Sequence, residues 1–118
     1  MCMSQQQKRD RSRPGTVVVT LPDEMDYGNS QGVSDQLIGA LRPGITTVIA
    51  DMTHTAFCDS AGLASIAMAR RISADRGISL LIAASAGIIK KLFEVTGLDT
   101  VLPVYPTVDA ALSGDEPA

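Results

Sequence analysis

From residue 16 onward, short apolar runs alternate with longer stretches in which apolar residues recur every three or four positions. "TVVVTL" (16–21) is short, β-branched and free of charge, which predicts a strand. The polar connection "PDEMDYGN" follows it. Asn29 or Ser30 can then cap a helix whose core stripe is Val33, Leu37, Ala40 and Leu41. "RPG" (42–44) stops that helix. "TTVIAD" (46–51) and "ISLLIAA" (78–84) are continuous apolar runs, the pattern of strands covered on both faces. Between them a loop from Met52 to Cys58 leads into a helix expected from about Ser60 to Arg76, ended by Gly77. After residue 84, Ser85 is placed to cap a helix with Ile88, Leu92 and Val95 on one side, closed by Gly97. "TVLPVY" (100–105) predicts a last strand, at a sheet edge because of Pro103, and "VDAALS" a short terminal helix.

Repeated strand–helix units predict an α/β fold with a mostly parallel sheet of four or five strands, about four helices and right-handed crossovers. The length of 118 residues fits one domain, expected over 14–113, with tails at 1–13 and 114–118. Residues 4–13 can add an edge strand, although Lys8, Arg9, Arg11 and Arg13, interrupted by Asp10, read as a solvated tail. A net charge of −3 argues against nucleic acid and anionic membranes as partners. No apolar run approaches a membrane span, and the polar first fifteen residues carry no signal peptide pattern. Two cysteines, Cys2 and Cys58, supply no disulfide or metal framework and suit a reduced, cytoplasmic setting. No cofactor is expected.

The stretch "CDSAGLAS" (58–65) is where chemistry could lie. A serine hydrolase would pair Ser60 with His54, the one histidine, and with Asp51 or Asp59. The G-x-S-x-G elbow is missing, however, because "FCD" precedes Ser60 and "AG" follows it. No G-x-G-x-x-G follows a strand and no Walker lysine motif is present, so a nucleotide enzyme is equally unsupported. The plain reading is a helix start, in which Asp59 or Ser60 accepts a bond from a first-turn amide.

Helical spacing adds a second role. At about 100° per residue, Ala61, Ser65, Met68 and Ile72 gather on one side, and Ser60, Leu63, Ala64, Ala67 and Arg71 roughly opposite. If the first set packs on the sheet, Ser60 stands on an outward face of small and apolar residues suited to a partner. Leu63 turning inward would remove that patch. A phosphoryl group on Ser60 would add roughly −1.5 to −2 charges where first-turn amides and the helix dipole tolerate them. The fold would survive while a partner pressed against the site met a poorly paired anion.

Four pieces in this order, "LPDEMDYGNS", "DMTHTAFCDSAGLASI", "GIIKKLFEVTGLDTVLPVYPTVDAAL" and the strand–helix sequence between them, resemble the anti-sigma factor antagonists, the single-domain branch of the STAS family. The likeness runs from about Val17 to Leu112. It implies a non-enzymatic α/β domain that binds a kinase-type anti-sigma factor and so frees a sigma factor. It also implies that this kinase phosphorylates Ser60, the serine after the Asp in D-S-x-G, and that a metal-dependent serine phosphatase restores it. By the same resemblance Asp59 and Gly62 match the motif, and Asp26 matches an acidic loop position near the partner surface. The partner-binding set so implied is Asp23, Asp26, Asp59, Ser60, Ala61, Gly62, Leu63, Ala64 and Ala67. Asp23 stands where the family often has glycine, and Ala61 where it often has Ser or Thr. A different class of function within the same family is a docking subunit of a stress-signalling complex or a lipid transporter.

Overall fold

The β-branched run Thr16–Thr20 forms a strand whose parallel neighbour is Thr47–Asp51, with Val17 opposite Val48 and Val18 opposite Ile49. The computed structural model describes residues 7–9, 14–85 and 87–114. The tail readings for residues 1–6, 10–13 and 115–118, and with them Cys2, Asp10, Arg11 and Arg13, lie outside the described residues. Along the chain run β1 (Gln7–Arg9), β2 (Thr16–Thr20), β3 (Glu24–Met25), α1 (Ser30–Ala40), β4 (Thr47–Asp51) and β5 (Phe57–Cys58). There follow α2 (Ser60–Asp75), β6 (Ser79–Ala83), α3 (Ile88–Thr96), β7 (Val104–Tyr105) and α4 (Val108–Ser113). The main sheet has the order β1-β2-β4-β6-β7, parallel except for β1.

Alternation along the strands sorts the core into two layers. Val17, Val19, Val48, Ala50, Leu80 and Ile82 face Val33 and Leu37 of α1, Ile66 and Ala69 of α2, and Ile89 and Phe93 of α3. Val18, Ile49, Leu81, Ala83 and Tyr105 face the other way, where α4 lays Val108, Ala111 and Leu112. Both faces are therefore covered, which is why β4 and β6 read as unbroken apolar runs.

Four local expectations are corrected. The strand expected over 100–105 is only Val104–Tyr105, because Leu98–Thr100 winds into a 3-10 turn in which the Thr100 hydroxyl donates to the Gly97 carbonyl at 2.6 Å. Pro103, lacking an amide hydrogen, still accepts from Ile82 N–H at 2.9 Å at the sheet edge. Ser85 does not cap α3, whose N-cap is Gly87 at φ 131°. Asn29 does stand at the N-cap position of α1, but its side chain turns backward, accepting from Asp26 N–H and donating to the Glu24 carbonyl. The segments 22–29 and 52–58, expected as loops, contain β3 and β5, which pair in parallel as a second, two-stranded sheet.

Candidate functional site

The small sheet positions the start of α2. Glu24 lies opposite Phe57 and Met25 opposite Cys58, and the Asp59 amide donates to the Met25 carbonyl at 2.9 Å. The Asp23 carbonyl accepts from Ala56 N–H at 2.7 Å, and the buried Thr55 hydroxyl donates to the Pro22 carbonyl at 2.9 Å. Residues 22–29 and 55–59 are thus stitched together ahead of the helix, although they are far apart in sequence.

Asp59, not Ser60, is the cap. Its Oδ1 accepts from Gly62 N–H at 2.9 Å, satisfying one first-turn donor, while Oδ2 accepts from Tyr27 N–H at 3.1 Å. One carboxylate therefore both starts α2 and holds the 26–29 turn against it. That turn is itself closed by Asp26, whose Oδ1 accepts from Asn29 N–H at 3.2 Å. Gly62 lies buried beneath the turn. A Cβ there would sit 2.8 Å from Cys58 Sγ and 3.0 Å from both Cβ and the carbonyl oxygen of Met25. The motif glycine is what lets the helix approach the small sheet.

Ser60 is the first residue of α2 and is exposed, and among the described residues its hydroxyl has no hydrogen-bond partner. Asp23, Ala64 and Ala67 are also exposed, while Asp26, Asp59 and Ala61 are partly so. The helix is rotated from the expected setting. Gly62, Ser65, Ile66, Ala69 and Ser73 form the buried side, Met68 is exposed, and Ala61 and Ile72 lie at its margin. Leu63 is half-buried against the core, so the outward patch around Ser60 is made of small residues without that leucine. The buried Ser65 hydroxyl ties α2 to α1, donating to the Ser30 carbonyl at 2.9 Å. Two neighbours of Ser60 escaped the sequence reading, Tyr27 and Phe57, both strongly exposed. The signal available was a tyrosine placed in a polar, glycine-containing segment.

The other chemistries find no geometry here. The Asp51 carboxylate is taken by Thr53, through its amide at 3.0 Å and its hydroxyl at 2.6 Å, and no hydrogen bond links Ser60, His54 and Asp51 among the described residues. Cys58 is buried next to the site, and desolvation, with the neighbouring Asp59 charge, pushes its thiol up to about 11. At neutral pH it is a packed thiol rather than a nucleophile. No group of three or more potential metal ligands occurs among the described residues.

The STAS domain family model matches residues 7–111. This chain belongs to the STAS domain family. A Mycobacterium tuberculosis protein provisionally named anti-anti-sigma factor Rv2638 is 33% identical over 88 residues, which cover 72% of this chain and 60% of that protein. The STAS chain thus spans less than two thirds of the length of this relative. Among solved structures, an anti-sigma factor antagonist from Mycobacterium paratuberculosis superposes with a TM-score of 0.81 at 21% identity, covering 92% of this chain and 89% of that one. The Bacillus cell fate determinant SpoIIAA in its phosphorylated form gives a TM-score of 0.67 at 19% identity, covering 92% and 97%. At those identities the two structures establish a shared STAS fold.

Proposed function

We propose that this STAS domain is an anti-sigma factor antagonist working in the cytoplasm. It binds a kinase-type anti-sigma factor through the start of α2 and is switched off when that kinase phosphorylates Ser60. The observation that carries the reading is the setting of Ser60. Its hydroxyl is exposed, it stands at the first position of a sixteen-residue helix, and the capping role falls to its neighbour. A kinase can therefore take the hydroxyl without breaking any bond that holds the fold. The 33% identical relative, named as an anti-anti-sigma factor, supports the same class of partner.

The physics of the switch follows from the first turn. Amides at the start of a helix lack intrahelical acceptors, so those of Ser60 and Ala61 can receive part of a phosphoryl charge. Asp59 beside it adds like charge. In the free protein, water solvates what remains. In a complex the phosphoryl group would be sealed against the partner without compensation, which costs several kcal/mol. Asp23, Asp26, Asp59, Ala61, Ala64 and Ala67 form the docking surface around Ser60, with Gly62 and the half-buried Leu63 supporting it from below. A serine phosphatase acting on phosphorylated Ser60 restores binding.

The test uses purified kinase-type anti-sigma factors encoded in the same genome. With ATP, mass spectrometry should place one phosphate on Ser60. Ser60→Ala should fold like the wild type and keep its affinity, whereas Ser60→Asp should bind at least about tenfold more weakly while melting normally. Equal affinity of the two variants for a partner that binds the wild type would remove the switch.

A further inference from the structure

We infer that Tyr27 and Phe57 are the anchors of the docking surface, and that the partner meets them with an apolar pocket rimmed by Lys or Arg. This rests on the anti-sigma reading above and says what the partner's surface must look like. The chain has two Phe, two Tyr and no Trp. Phe93 and Tyr105 are buried, but Tyr27 is 85% exposed and Phe57 50% exposed. Both stand at the same lip. Phe57 opens β5 three residues before Ser60, and the Tyr27 amide is held by the Asp59 carboxylate at 3.1 Å. Large rings displayed to solvent on short, tightly bonded backbone have only their own two side-chain torsions to order on binding. Aromatic side chains dominate the energetics of many protein interfaces.

Charge selects the occupant. Segments 21–30 and 52–64 carry Asp23, Glu24, Asp26 and Asp59 and contain neither Lys nor Arg. A second copy of this chain would bring the same acidic lip against itself. Nucleic acid or an anionic bilayer would also meet it with the wrong sign. A protein with a basic rim fits. A phosphoryl group on Ser60 cannot release such a partner by long-range repulsion, since its charge has the attractive sign. It acts at contact, where closure around the two rings would strip its water.

The experiment measures association and dissociation rates of the wild type, Tyr27→Ala, Phe57→Ala and Val95→Ala against each purified kinase-type anti-sigma factor of the same genome. Val95 is 68% exposed on α3 and serves as an apolar control. Each anchor variant should weaken binding about tenfold or more with a melting temperature close to that of the wild type, and Val95→Ala should leave affinity unchanged. The wild-type association rate should fall severalfold from about 50 to about 500 mM salt. If the wild type binds none of the candidates, the anti-sigma reading falls and this inference with it. If the wild type binds and both anchor variants stay within about twofold of it, the anchors alone are refuted. A salt-insensitive association rate refutes the basic rim.

Discussion

Gly62 carries more of the site's geometry than its lack of a side chain suggests. An alanine there would gain about 1 kcal/mol of helix propensity. Its Cβ, however, would stand 2.8 Å from Cys58 Sγ and 3.0 Å from the Met25 carbonyl oxygen. The thiol can swing away, but the Met25 carbonyl cannot, because it accepts from Asp59 N–H at 2.9 Å and lies in the β3–β5 pair. Overpacking of this kind costs about 1–3 kcal/mol. Gly62→Ala should therefore lose about 1–2 kcal/mol in urea unfolding, and adding Cys58→Ala should recover only part of it. Stability at or above the wild-type value would mean that α2 can slide off the small sheet. The D-S-x-G string was legible in the sequence as a helix start, with Asp59 and Ser60 equal candidates for the cap. What decides between them is Tyr27, whose amide gives Asp59 a second donor from 32 residues away. No local pattern encodes that bond.

At the scale of elements, the helices were visible and their faces less so. In α1 the stripe Val33, Leu37, Ala40 is buried as its spacing implies, with Leu41 at the C-cap. In α3, "IIKKLFEV" offers two apolar stripes. The expected one, Ile88, Leu92 and Val95, loses to Ile89 and Phe93, with Leu92 partly buried between them. Both fit a 3.6-residue period, and Phe93, the largest fully buried side chain, has the most apolar area to remove from water. In α2 the ambiguity has another source: alanines and serines on several sides leave little contrast for a periodicity to detect. The α3 assignment is directly measurable. Phe93→Ala should cost about 3–5 kcal/mol, as cavity-forming aromatic truncations do. Val95→Ala should stay within about 0.5 kcal/mol. The reverse order in urea titrations would restore the stripe read from spacing.

For the whole molecule, the parallel strands announce themselves because burial on both faces makes them continuously apolar, and the two sheet edges are where that signal fades. One edge, β7, is two residues long and preceded by Pro103. At the other, β1 runs antiparallel to β2, with Gln7 opposite Val19 and Arg9 opposite Val17. Gln-Lys-Arg has no apolar alternation, so charge density argued for solvent while pairing with β2 argued for a strand. The pairing covers the open side of Thr16–Thr20, five β-favouring residues whose peptide groups would otherwise form an exposed template. Charged residues on an edge strand also discourage the next chain from adding to it. A chain shortened to begin at Pro14 should therefore unfold at lower urea than the full chain. It should also show concentration-dependent association by light scattering under conditions where the full chain does not change. Equal midpoints together with an unchanged scattering mass would show that β2 needs no cover, and that Gln7–Arg9 adds neither stability nor protection at this edge.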